Sequence, residues 1–150
     1  CDIINTDNIY QNPFYKTQPN PYKEFITKFV LGNKYLLFIY INYRNKKIKS
    51  ERKVKMTECV HPYALHGCFI GFKSKYIRYY VNTEFRAFIF FEEYFIAIIT
   101  KHYNLLNFYN NKLKIKHKDK STMKSVSLQR RSSYLKESLK ACADLRHNLR

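Results

Sequence analysis

Glycine is scarce in this chain, which has only three glycines in 150 residues, at positions 32, 67 and 71. A P-loop or a dinucleotide-binding fingerprint needs several closely spaced glycines so that the backbone can approach phosphate groups, and the sequence has neither motif. Turns that need a positive φ must therefore come largely from asparagine. The H-E-x-x-H and G-x-S-x-G motifs are also missing from the sequence. We expect a non-enzymatic protein.

The length and composition favour one folded domain. A chain of 150 residues with 45 % hydrophobic residues can bury a core of its own. Its 14 tyrosines and 12 phenylalanines, together with many Ile, Asn and Lys residues, are encoded by AT-rich codons. Translation of AT-rich DNA without a function would give the same bias. A spurious reading frame is therefore one alternative against which each motif is weighed.

Positive charge is concentrated in two blocks of a chain whose formal net charge is +17. Residues 44–78 carry ten basic and two acidic side chains, a net +8. Residues 101–150 carry thirteen basic and three acidic side chains, a net +10. The aromatic segment 79–100 between them has one basic and three acidic side chains, a net −2. This distribution favours a polyanionic partner, namely nucleic acid, an anionic membrane surface or an acidic protein.

The clearest local pattern predicts a helix over about residues 21–31. Asn20 is a good N-cap, and Pro21 suits the first helical position. Gly32 supplies a C-terminal stop. The apolar residues in between recur at helical spacing and form one stripe that we expect to face the core: Tyr22, Phe25, Ile26, Phe29 and Val30.

Two hairpins are predicted after this helix. Residues 35–43 form an apolar run of strand length, and residues 47–56 alternate between basic and mostly apolar positions. A second hairpin is expected from residues 68–72 and 76–81. The aromatic stretch 84–109 fits either a largely buried helix or two strands. Its uninterrupted apolar part is far shorter than a membrane span requires.

Together these patterns predict an α+β fold. Its parts are an N-terminal amphipathic helix, a small antiparallel sheet of hairpins, a buried aromatic helix or strand pair, and a loosely docked C-terminal helix. Residues 1–20 are expected to form a flexible leader because Asn, Gln and Pro recur there. Residues 21–110 form the domain, and residues 111–150 form a basic linker and the last helix. That helix has a narrow leucine stripe, so weak docking is expected.

The basic residues of the two predicted hairpins are the candidate nucleic-acid contacts. On one sheet they would lie near several tyrosines, so that cations neutralise phosphates while aromatic rings stack on bases. The basic tail from Lys112 to Arg150 would add affinity that does not depend on base sequence. The predicted phosphate contacts are Lys47, Lys49, Arg52, Lys53, Lys55, Lys73, Lys75 and Arg78.

Cys59, His61, His66 and Cys68 bring four side chains of the kind that bind zinc into ten residues. In each Cys–His pair the side chains of an extended segment point the same way and could face one metal ion. A Cys59–Cys68 disulfide fits the same residues, and so does a turn without a ligand. All three interpretations stay open.

Short motifs bear on regulation and location. Ser133 follows two arginines as the acceptor of a basophilic kinase motif, and a phosphate there would lie near the predicted start of the last helix. Residues 46–49 match a minimal nuclear-import pattern. Four cysteines and no N-glycosylation motif favour an intracellular protein. The alternatives to nucleic-acid binding are a membrane-surface protein and a small metal-stabilised interaction module.

Overall fold

Helices make up most of the regular structure. We describe the fold from a computed structural model that describes residues 2–5, 8, 10–12, 15–51, 61–81, 83, 85, 87, 90–118 and 126–149. Within these ranges the chain forms five helices and a small sheet, a mixture that agrees with the predicted α+β class. The elements are β1 (Asp2–Asn5), α1 (Pro21–Gly32), α2 (Lys34–Glu51), α3 (Ser74–Tyr80), α4 (Glu92–His102), β2 (Lys114–His117) and α5 (Leu128–Asn148).

Helix α1 begins and ends where the sequence predicts. The side chain of Asn20 accepts a hydrogen bond from the backbone N–H of Tyr22 at 2.9 Å, as expected of an N-cap. The predicted direction of its apolar stripe is wrong, however. Tyr22 and Phe29 are each 70 % exposed, whereas Leu31, outside the predicted stripe, is buried. Tyr22, Ile26 and Phe29 of the stripe are exposed, while α1 packs on α2 and α5 with Leu31 buried.

The first predicted hairpin is wrong, because residues 34–51 form the single helix α2. Asn33 starts it, since its side-chain oxygen accepts hydrogen bonds from the N–H groups of Tyr35 and Leu36 at 2.9 and 3.4 Å. Neither Gly nor Pro interrupts the chain between positions 34 and 51. A short apolar run has the same composition in a buried strand and in a helix, so periodicity alone does not separate them. Residues 52–56 of the predicted hairpin lie outside the described residues.

The second predicted hairpin is also wrong, because α3 replaces its second strand. Phe72, Tyr76 and Tyr80 are four residues apart and therefore lie on one side of the helical turn. The rings of Phe72 and Tyr76 stack with centroids 4.7 Å apart, and those of Tyr76 and Tyr80 follow at 6.0 Å. This row of rings favours the helix over a strand.

The sheet is parallel rather than antiparallel, and it joins two distant segments. β1 pairs with β2 in the register Asp2 to Lys114 through Asn5 to His117. Lys114 and Lys116 are exposed while Ile115 is half-buried, so the alternation in this Lys-rich segment is that of an edge strand. The strand β1 falls inside the predicted leader, where Asn and Pro had indicated irregular structure.

Helix α4 holds the core. Of the two alternatives for the aromatic stretch, a buried helix is confirmed for residues 92–102. Phe95 and Ile99 are almost fully buried with Cys142 of α5. The helix is preceded by Phe90 and Phe91 with φ of 75° and 60°, a left-handed conformation that bulky residues adopt only under constraint from their surroundings.

Helix α5 is central rather than loosely docked. It packs against α1, α2 and α4, and it buries Leu139, Cys142 and Leu145. The buried hydroxyl of Ser132 donates a hydrogen bond to the carbonyl of Leu31 at the end of α1. A narrow stripe suffices here because Leu139 packs in one cluster with residues of α1 and α2, while Cys142 and Leu145 pack in the other with residues of α4. The domain boundaries at residues 20 and 110 stay predictions, although β1–β2 pairing and α5 packing connect the three predicted segments.

No helix in the described ranges is long and apolar enough to cross a bilayer. Asparagine supplies two of the positive φ angles, at Asn8 and Asn104, as the shortage of glycine predicts. The two phenylalanines before α4 supply the other positive values among the described non-glycine residues.

Candidate nucleic-acid interface

The five predicted phosphate contacts that the structure describes lie on or next to two separate helices rather than on one sheet. Lys47 and Lys49 belong to α2, which packs on α1 and α5. Lys73, Lys75 and Arg78 lie at or on α3, which packs on α4. In the part of the chain that the structure describes, α2 and α3 do not touch. The remaining predicted contacts, which lie outside the described residues, are Arg52, Lys53 and Lys55.

Helix α3 separates its charged side from its aromatic side. Lys73, Lys75 and Arg78 are exposed, whereas Tyr76 is buried against the core. Tyr79 stacks on Tyr103 with ring centroids 3.9 Å apart, which holds α3 against the end of α4. The result is a short helix that Tyr76 and Tyr79 hold against the core while its cations are exposed to solvent.

A groove of about 840 Å³ runs beside α3. Its floor is formed by Ile96 and Thr100 of α4. Its volume lies in the range of pockets that bind small organic groups. Apolar side chains dominate the described lining, with six leucines or isoleucines and four phenylalanines or tyrosines. The three phenylalanine rings are about half exposed. The aromatic and basic residues of its walls and rim are Phe69, Phe72, Tyr76, Phe108, Lys73 and Lys75.

The hydroxyl of Tyr76 is a buried polar group in this wall. The residue is 8 % exposed, and within the described residues its hydroxyl oxygen has no hydrogen-bond partner. Burial raises the pKa of Tyr76 well above its usual range, and the nearby Tyr80 adds to the effect. A buried O–H without an acceptor costs free energy, so a bound molecule that offers an acceptor would relieve that cost.

Positive charge surrounds the groove. Residues 61–81 contain three basic and no acidic side chains, and residues 101–118 contain five basic and no acidic side chains. Glu93 of α4 is buried, and its carboxylate accepts a hydrogen bond from the N–H of Gly67 at 3.0 Å. A side chain at position 67 would crowd that carboxylate. The Glu93 carboxylate therefore holds the loop at Gly67 and is not exposed beside Lys73 and Lys75.

The predicted metal ligands take different partners. His61 Nδ1 lies 3.0 Å from the carbonyl oxygen of Asn107. His66 Nδ1 accepts a hydrogen bond from the N–H of Cys68 at 3.2 Å, and its ring lies 5.3 Å from that of His117. Among described residues, no group of three or more His, Cys, Asp or Glu side chains could hold a metal ion. Cys59 lies outside that set, so the four-ligand site and the Cys59–Cys68 disulfide stay predictions.

Ser133, the predicted phosphorylation site, lies in the second turn of α5. The helix begins at Leu128 and is capped by Ser127, so Ser133 is too far along for a phosphate to benefit from the helix dipole, which acts within the first turn. Its hydroxyl donates to Glu137 at 3.1 Å, and the residue is exposed. Phosphorylation there would add repulsion against Glu137.

Sequence reasoning found the cations of this site but missed most of its walls. Lys73 and Lys75 were predicted from charge, whereas Phe108 and Asn107 come from a segment that had been assigned to a helix or strand pair. The signal that would have found them is the run from 101 to 118, which combines aromatic and amide side chains with basic ones and has no acid.

The groove and its cationic rim are therefore defined by this chain's own geometry and charge. A loop, a short helix and the segment after α4 build the site around one face of the core. Comparisons of the chain with protein-family models, with curated proteins and with solved structures find no match.

Proposed function

We propose that the protein is a non-enzymatic polyanion-binding protein whose partner is nucleic acid, and that α3 and the adjacent groove form the contact surface. The observation that carries the proposal is the apolar groove that has four phenylalanine or tyrosine rings in its lining and Lys73 and Lys75 at its edge, with no acid in either of the segments that flank it. Aromatic walls offer stacking surfaces to bases, and the lysines offer contacts to phosphates.

A single strand fits this geometry better than a duplex. Bases of a single strand are free to leave their neighbours and stack on protein rings, which contributes about 1–3 kcal/mol per base. The exposed rings of Phe69 and Phe108 lie on the groove walls, where such a base would enter. An acceptor on the base edge would also give the Tyr76 hydroxyl a partner.

The other basic residues would add affinity for phosphates but would not determine where a base binds. Lys47 and Lys49 of α2 and the cations between Lys112 and Arg150 would contribute contacts that depend on charge alone. We therefore expect affinity from the whole chain and base stacking from the groove.

A salt series tests the proposal. The binding of a fluorescein-labelled twelve-nucleotide single strand would be measured by anisotropy at several potassium chloride concentrations. We expect a log–log slope of several units, because each phosphate contact contributes about 0.7. A slope near zero, or no binding at low salt, would reject nucleic-acid binding.

Paired substitutions test the location of the contact surface. The double variant Lys73→Gln and Lys75→Gln should lower the salt slope by about 1.4, from two lost contacts at about 0.7 each. Lys136→Gln with Lys140→Gln removes the same charge from exposed positions of α5 and serves as the control. An equal loss in both double variants would show that only net charge matters and that the groove is not the contact site.

A further inference from the structure

The first two helices, α1 and α2, are in contact, and each presents a row of apolar side chains to solvent. We call the two rows together the outer face; six of its seven side chains are more than half exposed, with Tyr22 and Phe29 at 70 %. Tyr22, Ile26 and Phe29 contribute from α1. The α2 contributors are Tyr35, Phe38, Ile39 and Tyr43.

These residues recur at helical spacing, so those of each helix lie on one side of it. On α1 they fall at i, i+4 and i+7, and on α2 at i, i+3, i+4 and i+8. The opposite side of α2 is also apolar, since Leu37 is buried and Tyr40 and Ile41 pack beside it. A helix with apolar residues on both sides can bury both only if each side packs against a partner. Nothing in the described ranges covers the outer one, and exposed apolar patches of this kind mark interaction sites.

Charge indicates what covers the face. Residues 21–51 carry seven basic and two acidic side chains, a net +5. Four of the seven cations lie close together in the second half of α2, between Arg44 and Lys49. Near the start of the helix, the ammonium of Lys34 lies 5.0 Å from the centre of the Tyr35 ring. The partner must therefore accept apolar and aromatic side chains and attract positive charge at the same time.

We propose that the outer face docks on the surface of an anionic lipid bilayer. Interfacial helices combine an apolar aromatic side with lysine and arginine, and they bind through buried apolar area and attraction to anionic headgroups. Tyrosine favours the level of the headgroups, and long basic side chains reach from an apolar layer to the phosphates. The two helices would lie along the membrane and not cross it.

Other occupants satisfy only half of these requirements. A second copy would bring a surface of net +5 against another of the same charge. Nucleic acid would meet the charge but would leave Phe29, Phe38 and Ile39 against phosphates and water. This inference rests on the outer face and not on the groove beside α3, and the two proposals share only the charges of Lys47 and Lys49.

Vesicle sedimentation of the full chain tests the proposal. Vesicles of phosphatidylcholine alone would be compared with vesicles that contain phosphatidylserine, and we expect strong binding to the second kind. Phe29→Gln with Ile39→Gln should lower the partition coefficient by about tenfold or more, since each side chain would leave an apolar environment. Val81→Gln replaces an equally exposed apolar residue outside the outer face and should leave binding unchanged.

A second pair of substitutions tests the charge. Lys47→Gln with Lys49→Gln should weaken binding to the phosphatidylserine vesicles by on the order of thirtyfold, from about 1 kcal/mol per lysine. Binding to pure phosphatidylcholine should not change.

Three results would overturn the proposal. One is a folded chain, by circular dichroism, that does not sediment with the anionic vesicles. Another is equal binding of the Phe29→Gln/Ile39→Gln variant and the wild type. The last is a dimer in sedimentation velocity that this variant dissociates, which would identify a second copy as the occupant. Vesicle binding that persists when the groove variant Lys73→Gln/Lys75→Gln has lost its oligonucleotide contact would keep the two proposals separate.

Discussion

The α4–α5 core and the α1–α2 helix pair use the same residue types in opposite ways. In the core, Tyr94, Phe95 and Ile99 are almost fully buried. In the helix pair, tyrosine, phenylalanine and isoleucine form the exposed outer face, and the buried cluster consists of Leu31, Leu37 and Leu139. In this chain the residue type alone therefore does not determine which aromatic and aliphatic side chains are buried. Helix α4 packs against α3 and α5, whereas α1 and α2 pack against each other and α5, with Phe91 beside their buried cluster.

The largest expected contrast is in core truncation. Phe95→Ala should lower the free energy of unfolding by about 3–5 kcal/mol, and Leu37→Ala by about 2–3 kcal/mol, because the smaller cluster can relax into the cavity. Urea unfolding monitored by circular dichroism measures both. Equal losses would show that the two regions are one cooperative core, and the comparison would then fail.

The second largest effect is expected at Ser132, whose side chain connects α5 to the end of α1. Ser132→Ala removes the buried hydroxyl that donates to the carbonyl of Leu31. Leaving that carbonyl without a donor should cost about 1–2 kcal/mol. Hydrogen exchange should show faster opening of α1 and little change in α4, and Ser133→Ala on the exposed side of α5 is the matched control. Uniform loosening of both regions would contradict the assignment of Ser132 as a local connection.

A smaller effect of opposite sign is expected in the core at Tyr76. Replacing it with phenylalanine removes a buried hydroxyl that lacks a partner in the described structure, so Tyr76→Phe should stabilise the apo protein by about 1 kcal/mol. The raised pKa of this phenol has a second consequence. Its contribution to stability is fully present below the ordinary tyrosine pKa of about 10 and is lost as the pH rises above that value.

Unfolding between pH 8 and pH 11 tests that consequence. The wild type should lose stability above about pH 10, and Tyr76→Phe should lose less. Tyr109, whose pKa is also raised by burial and by the hydrogen bond that its hydroxyl donates to Asp2, should keep part of the alkaline dependence in both proteins. A variant less stable than the wild type at neutral pH would show that the hydroxyl is satisfied.

The smallest expected effect is on the outer face. Phe29→Gln with Ile39→Gln should change the free energy of unfolding by less than about 0.5 kcal/mol per site, because exposed side chains lose little packing. Thermal unfolding without vesicles measures this. A loss of several kcal/mol would place these residues inside the fold and would remove the contrast with the core.

The parts of the fold that sequence predicts are those set by neighbours along the chain. The start of α1 follows from Asn20 and Pro21, and the buried side of α5 from the spacing of Leu139, Cys142 and Leu145. Helix α2 was missed because its two apolar sides remove the periodicity that separates a helix from a strand. The outward direction of α1 was missed because an amphipathic pattern identifies an apolar side but not what covers it.

Sequence analysis predicts the basic residues of the candidate site but not the groove that they border. Lys73 and Lys75 stand out in any count of basic residues. Their placement beside Phe108 depends on how the chain returns after α4, which no local pattern encodes. The parallel pairing of β1 with β2 was missed for the same reason, since each strand is only four residues long.

That pairing also constrains the order of folding. Asp2 and Lys114 are 112 positions apart in sequence, and so are the other paired residues of the sheet. Closing so long a loop gains few contacts at first, so the strands should join late, after α4 and α5 have packed. During synthesis, β1 must wait until residues 114–117 have emerged before its partner exists. The segment that carries β1 should therefore become protected from proteases later than α4 and α5 as the protein folds.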